Sequence, residues 1–173
     1  MTREQTQIAV IGEIGEALGG AGAGIGWWLF GGWGLDALVG RITRAHGDIE
    51  VWVAMADGGP ARRALEAHGF VAVGAQPPEE SQAFERRGAG LSTAFFVATA
   101  DGFAHPEGRW ADWRFPPGSF GATTGVLGGR AVPVMSAAGM LAMKTQYAGL
   151  RNGKPLRDKD LLDLPVLRAL AGG

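Results

Sequence analysis

Two carboxylates, Asp48 and Glu50, stand one residue apart in the strongest strand pattern of the chain, residues 48–55, which is rich in Val, Ile and Trp. Alternate side chains of a strand share one face, so both carboxylates are predicted to point the same way. Such a pair is repulsive unless a cation or a proton lies between the two groups. Because Mg²⁺ takes oxygen ligands and neutralises charge on a triphosphate, the pair suits phosphoryl or nucleotidyl transfer. A strand that simply begins with two solvated acids is the alternative.

Two adjacent glycines, Gly31 and Gly32, separate a short apolar run, residues 27–30, from a helical pattern over residues 33–39. Glycines between a strand and a helix let backbone amides approach an anion closely, and the amino end of a helix favours negative charge. Glycine turns are frequent in this chain, which has 30 glycines. The pair therefore gains weight only from the acidic strand that follows it.

The elements that must position these residues alternate along the chain. Helices are predicted over residues 3–18, 33–39, 60–68, 136–147 and 157–170, the last kinked or divided at Pro165. Strands are predicted over residues 27–30, 48–55, 70–73 and 91–99, with a hairpin over 126–134 and loops over 77–80 and 106–118. This order predicts an α/β (α+β) fold in which a mixed sheet is flanked by helices and two helices close the chain.

Composition limits the partners. The 173 residues suit one domain, residues 1–173, and the 16 basic and 17 acidic residues give a net charge of −1, so no basic field draws in nucleic acid. Without cysteine there is no thiolate chemistry. Residues 1–7 lack a secretory signal, and the apolar stretch 17–39 is broken by glycines and Asp36. We expect a cytoplasmic protein with a small-molecule partner and no membrane association.

The run GGWGLDALVGRITRAHGDIEVWV resembles the signature of aminoglycoside and lincosamide nucleotidyltransferases, which carry Gly-Gly-Trp, a downstream Arg-x-His and an Asp-x-Asp on a strand. Residues 140–144 and 157–164 also resemble the tail of that superfamily. The resemblance implies a nucleotidyltransferase-like domain and an enzyme that transfers a nucleoside monophosphate to a hydroxyl of an antibiotic-like molecule.

The resemblance also implies roles for individual residues. Gly31 and Gly32 would cradle the phosphates of a nucleoside triphosphate, and Asp48 with Glu50 would hold Mg²⁺. Lys144 would lie near the phosphates or in an ion pair between helices.

Two departures from the family pattern indicate a divergent active site. The second acid is Glu50 rather than Asp, and its extra methylene displaces the carboxylate in a site that demands near-octahedral geometry. The family places a third acid on a neighbouring strand, whereas the matching residues 90–97 offer only Ser92 or Thr93. Without that base, activation of a substrate hydroxyl loses roughly 10²–10⁴-fold.

The predicted pocket is partly apolar, which suits an aromatic small molecule better than a solvated triphosphate. Its candidate residues are Trp33, Trp52, Ser92, Ala94 and Phe96. Ordinary core packing is the alternative for Trp52 and Phe96. Trp110 and Trp113 form a lid over the pocket or pack on the sheet surface.

Three hypotheses remain open from the sequence. The first is the Mg²⁺-dependent nucleotidyltransferase. The second is a repurposed fold that acts without metal or other cofactor on an apolar natural product of secondary metabolism, by acid–base chemistry of Asp48, Glu50 and His46; His46 alternatively fixes the turn before the strand. The third is a binding protein that catalyses nothing. The acceptor site is either small or shared across a homodimer.

Overall fold

The computed structural model of the chain describes residues 1–20, 22–150 and 153–172. Its helices are α1 (Arg3–Gly19), α2 (Gly31–Val39), α3 (Gly58–Ala67), α4 (Ala137–Leu150) and α5 (Asp158–Ala171). Its strands are β1 (Trp27–Phe30), β2 (Ile49–Ala54), β3 (Val71–Ala72), β4 (Ser81–Arg86), β5 (Ala89–Ala98), β6 (Ala104–His105), β7 (Thr124–Leu127) and β8 (Arg130–Pro133). Within these ranges no helix is long and apolar enough to cross a membrane.

The main sheet has the strand order β1-β2-β5-β4-β3, and β6 pairs with the end of β5. Strands β2 and β5 run parallel, and the other pairings in this sheet are antiparallel. The hairpin β7-β8 lies beside β1, where the backbone N–H of Met135 donates to the carbonyl of Leu29 at 2.9 Å. This mixed sheet with flanking helices confirms the predicted fold class.

Helices α1 and α3 contact each other and pack on the central strands β2 and β5. A capping box, in which the side chains of Thr2 and Gln5 each accept a backbone N–H of the other, starts α1. The apolar side chains that α1 and β2 bury are Val10, Ile11, Ile14, Leu18, Ile49, Val51 and Val53. Since side chains alternate along β2, Glu50 and Trp52 are left on the opposite face, where the cavity described below opens.

Among the elements that differ from the sequence predictions are β4, α2 and α5. Strand β4 falls where no strand was predicted, because Phe84, opposite Leu91 of β5, is its one fully buried side chain. Helix α2 begins at Gly31, whose φ of 65° turns the chain directly from β1 into the helix. Helix α5 continues through Pro165 without a break, although the proline has no N–H to donate to the carbonyl of Leu161.

Candidate active site

Asp48 and Glu50 line a cavity of about 500 Å³. The sheet forms its floor through β2, β5 and β4, and the loop that carries Trp110 and Trp113 forms one wall. Helix α4 contributes Met143, Lys144 and Tyr147, and Arg157 closes the same side. Carboxylates, cations and aromatic rings from distant parts of the chain thus meet in one cavity.

The two carboxylates have different environments. Asp48 is exposed just before β2 begins, whereas Glu50 is half-buried on the strand. Burial raises the pKa of Glu50, and the negative charge of Asp48 adds to this effect, while Lys159, Lys144 and Arg157 oppose it. An ionised Glu50 is therefore costly here unless a further cation approaches it.

Both carboxylates lie against glycines. A Cβ built on Gly31 would lie 2.1 Å from Oε2 of Glu50, and one on Gly90 would lie 2.5 Å from Oδ1 of Asp48. A side chain at either position would displace the neighbouring carboxylate, and the first turn of α2 lies next to the Glu50 carboxylate. Gly90 was not singled out from the sequence, because a glycine at a strand start carries no distinctive signal.

The carboxylate pair fits Mg²⁺ in its donor chemistry. Mg²⁺ is usually bound by one or two protein carboxylates, with waters and substrate phosphates as its other ligands. Within the part of the chain that the structure describes, no group of three or more His, Asp or Glu side chains could hold a metal ion. Asp48 and Glu50 are thus suited to an ion that a substrate shares, rather than to an ion enclosed by protein ligands alone.

Ser92 takes the position beside Glu50. The parallel register of β2 and β5 pairs Glu50 with Ser92, which lines the cavity. Thr93 is buried on the other face, and its Oγ1 has no hydrogen-bond partner among the described residues. The sequence offered Ser92 or Thr93 in place of the third acid of the family pattern. Of these two residues, Ser92 is the one that faces the cavity.

Lys144 is both a cavity residue and a member of a buried ion-pair cluster. Its Nζ lies 2.8 Å from Asp160 Oδ1 and 3.1 Å from Asp163 Oδ2. Arg157 Nε donates to Asp160 Oδ2 at 2.6 Å. Burial opposes ionisation of Asp160, but hydrogen bonds from Arg157 and Lys144 outweigh it and hold the pKa of Asp160 below its ordinary value. The helix-to-helix ion pair expected as one role of Lys144 is present.

His46 lies outside the lining of the cavity. Its Nε2 is 2.5 Å from Oδ2 of the buried Asp36, and its Nδ1 is 3.0 Å from Nη1 of Arg44. A Cβ on Gly32 would lie 2.1 Å from His46 Nδ1, so the missing side chain of Gly32 makes room for the imidazole. This arrangement supports the interpretation that His46 fixes the turn before β2.

The remaining predicted pocket residues divide into two groups. Trp52 and Ala94 line the cavity, and Trp52 stacks on Phe30 with ring centroids 4.9 Å apart. Trp33 and Phe96 do not line it, because Trp33 is buried against His46 and Phe96 is buried against Phe120, with centroids 3.8 Å apart in the latter pair. For Phe96 the core alternative describes the structure.

An aromatic cluster on the cavity wall consists of Trp110, Trp113 and Tyr147. The two indoles are stacked with centroids 4.8 Å apart, and each lies 6.1 Å from the Tyr147 ring. Only the tryptophans had a sequence signal, as an aromatic pair in a loop. The sequence could not assign Tyr147 to the cavity, because only the packing of α4 determines which face of that helix lines it.

The chain is similar to known proteins in sequence and in fold. A family model described as aminoglycoside-2''-adenylyltransferase matches residues 12–167. No curated protein sequence matches the chain. The crystal structure of ANT(2")-Ia in complex with adenylyl-2"-tobramycin superposes with a TM-score of 0.77 at 23% identity, covering 97% of this chain and 90% of that one.

A second solved structure, the lincosamide antibiotic adenylyltransferase LnuA bound to lincomycin, gives a TM-score of 0.67 at 19% identity, covering 96% of this chain and 97% of that one. At such identities these two structures establish a shared fold.

Proposed function

Because the chain belongs to the aminoglycoside-2''-adenylyltransferase family, we propose that it transfers a nucleoside monophosphate from a nucleoside triphosphate to a hydroxyl of a small, antibiotic-like molecule. The observation that carries this proposal is that Asp48 and Glu50 line the same cavity, close enough for the charge of Asp48 to raise the pKa of Glu50. A half-buried carboxylate with a raised pKa, next to a second carboxylate, is a favourable place for a cation.

Asp48 and Glu50 would hold Mg²⁺ in this role. When bound, the ion supplies charge neutralisation on the triphosphate. In the transfer, the acceptor oxygen bonds to the α-phosphorus, the bond from that phosphorus to the bridging oxygen breaks, and pyrophosphate leaves while the hydroxyl proton passes to a base. The residues of the chain position the two substrates for that in-line displacement.

Positive charge around the carboxylates comes from α2, α4 and α5. The amino end of α2, at Gly31, lies against Glu50, where free backbone N–H groups favour phosphate. Lys144 and Arg157 face the cavity from the other side, and Asp160 fixes both of them. These groups form a preorganised set of hydrogen-bond donors for a triphosphate.

Metal-free acid–base chemistry is a second candidate because of one observation, the raised pKa of Glu50. A carboxyl group whose pKa is raised by burial is a candidate general acid. Asp48 and Glu50 would then act without Mg²⁺, and His46, which lies outside the cavity, would take no part.

The two candidates separate in one assay. Nucleotidyl transfer predicts pyrophosphate release from a triphosphate and a hydroxyl-bearing antibiotic, with complete loss of turnover in chelator. Asp48→Asn is expected to reduce turnover at least about 10²-fold, since it removes a metal ligand. Asp57→Asn, which changes an acid beyond the far end of β2, is the matched control and should retain activity. Undiminished turnover in chelator contradicts nucleotidyl transfer and favours the acid–base alternative.

A further inference from the structure

Transfer to a hydroxyl needs a base for the hydroxyl proton, and the register of β4 places a carboxylate beside the cavity. Resting on the proposed function, we propose that Glu85 of β4 is the general base that takes the proton of the acceptor. As the acceptor oxygen bonds to the α-phosphorus and pyrophosphate leaves, the hydroxyl proton passes to the carboxylate of Glu85.

The acids that line the cavity already have other roles. In the described part of the chain they are Asp48, Glu50 and Glu80. Asp48 and Glu50 belong to the proposed metal site. Glu80 is buried, its Oε1 accepts the backbone N–H of Arg109 at 2.8 Å, and its Oε2 lies 3.0 Å from Arg109 Nε. The base for the acceptor therefore comes from outside this lining.

Strand β4 presents alternate side chains to the cavity. Ser81 and Ala83 line it, and Glu85 is the next residue in the same alternation. Arg86 points to the opposite face, where its Nε lies 2.6 Å from Oε2 of Glu13 on α1. Strands β4 and β5 are both described in full; β5 carries no acid, and β4 carries only Glu85. Glu85 is thus the carboxylate that these two strands offer on the cavity face.

Gly90 leaves the path between Glu85 and Asp48 open. It lies directly opposite Glu85 in the antiparallel pair of β4 and β5. The Asp48 carboxylate lies over Gly90, since a Cβ built there would be 2.5 Å from Asp48 Oδ1. The Cβ positions of directly opposite residues lie about 5 Å apart, and the carboxyl carbon of a glutamate is two bonds beyond its Cβ. A hydroxyl over Gly90 is therefore within hydrogen-bond reach of the Glu85 carboxylate.

The Glu85 carboxylate is accessible to a substrate. Glu85 is exposed, and no side-chain hydrogen bond or ion pair engages it among the described residues. The cations that follow it in sequence are held by Glu13, which contacts Arg86 and also lies 2.9 Å from Nη2 of Arg87. Both oxygens of Glu85 thus remain available as acceptors for a hydroxyl proton.

Steady-state kinetics of the full chain tests this assignment. Pyrophosphate release is measured with Mg²⁺ and ATP, GTP, CTP or UTP, and with tobramycin or lincomycin as acceptor. Glu85→Gln is expected to lower kcat at least about 10²-fold and to leave the KM for the nucleotide unchanged. Glu79→Gln, which changes an exposed acid between β3 and β4, is the matched control and should retain kcat. Undiminished kcat in Glu85→Gln overturns the inference.

A carboxylate introduced on the neighbouring strand tests the role of Glu85 rather than its mere presence. Ser92 of β5 lines the cavity, one step further along the same face than Gly90. Ser92→Asp should raise kcat at least about tenfold more in Glu85→Gln than in the wild-type background, because the new carboxylate then replaces a lost base. Equal gains in the two backgrounds show that the two side chains do not share a role, which overturns the inference.

Thermal unfolding with Mg²⁺ and the same nucleotides separates this inference from the proposed function, and it needs no turnover. Glu85→Gln should show the same ligand-induced rise in melting temperature as the wild type, because Glu85 lies outside the proposed metal site. Loss of that rise assigns Glu85 to metal or nucleotide binding and overturns the inference. If the wild type releases no pyrophosphate, the proposed function falls and the inference with it. If the wild type is active and Glu85→Gln is equally active, only the inference falls.

Discussion

The imidazole Nε2 of His46 lies 2.5 Å from Oδ2 of Asp36, and both side chains are buried. The guanidinium of Arg44 can only donate, so Nδ1 of His46 accepts from it and the proton resides on Nε2, which donates to Asp36. Asp36 also accepts through Oδ1 from the backbone N–H of Thr43 at 3.1 Å. Helix α2 and the segment before β2 are thereby joined through one carboxylate.

This junction extends to both ends of the chain. Arg44 Nη2 donates to Asp163 Oδ2 of α5 at 3.0 Å. The side-chain amide of Gln7, from α1, donates to the carbonyl of Gly47, the residue before Asp48. The segment that delivers Asp48 to the cavity is thus fixed from α1, α2 and α5, which explains why a polar connection can hold a precise site.

His46→Ala is expected to lower the free energy of unfolding by about 2–3 kcal/mol, because it leaves Oδ2 of the buried Asp36 carboxylate without its hydrogen-bond donor. Urea denaturation of the metal-free protein measures the change. His68→Ala, which alters an exposed histidine, is the matched control and should stay within about 0.5 kcal/mol. Unchanged stability combined with a lost pH dependence of turnover would instead assign His46 to the chemistry.

Glu50→Gln should separate stability from function. Since burial raises the pKa of Glu50, its ionised form destabilises the metal-free fold, and the neutral amide is expected to raise the free energy of unfolding by up to about 1 kcal/mol. The same change removes a proposed metal ligand, so Mg²⁺ with a nucleotide should no longer stabilise the protein. Thermal unfolding with and without ligands measures both effects. A destabilised variant that still responds to Mg²⁺ contradicts this role of Glu50.

The Asp160 cluster predicts a loss of stability in acid. The pKa of Asp160 is lower in the folded state, so its contribution is full above the unfolded pKa of about 3.9 and disappears as the pH falls through the folded value. Asp160→Asn should cost about 3 kcal/mol near neutral pH and much less in acid. Asp158→Asn, on the exposed first turn of α5, is the control. Urea unfolding curves measured from neutral pH to below the unfolded pKa give the stability difference between wild type and Asp160→Asn. A difference that stays constant over this pH range contradicts the prediction.

Ser92 offers a gain-of-function test. Ser92 lies on β5, opposite Glu50 of β2. Replacing Ser92 with Asp therefore puts a carboxylate next to Glu50, where the family pattern predicts a base. If the missing base limits turnover, Ser92→Asp should raise kcat by roughly 10-fold or more, whereas Ser92→Ala should leave it almost unchanged. Steady-state kinetics at saturating Mg²⁺ and nucleotide measures both. A lower kcat in Ser92→Asp with intact nucleotide binding shows that Ser92 does not occupy a base position.

The sequence predicted those features that local periodicity determines. Alternation along residues 48–55 placed Asp48 and Glu50 on one face, and the Gly31-Gly32 pair marked the start of α2 to within two residues. Strand β4 escaped prediction because charged and polar residues surround Phe84, and its strand conformation depends on pairing with β5.

Long-range contacts could not be predicted. Arg44 and Asp163 are 119 positions apart, and neither has a local pattern that implies the other. The Glu80–Arg109 pair likewise exists only because two loops meet at the cavity. Trp33 illustrates the opposite error, since a tryptophan next to the Gly-Gly pair belongs to the buried support of His46 rather than to the cavity.

The most direct test of the central claim is the melting temperature of the protein with ATP, GTP, CTP or UTP, each with and without Mg²⁺. A working carboxylate pair predicts that at least one nucleotide raises the melting temperature only when Mg²⁺ is present, and that Asp48→Asn abolishes the rise. No rise with any nucleotide, or an equal rise in chelator, contradicts a metal-dependent nucleotidyltransferase site at Asp48 and Glu50.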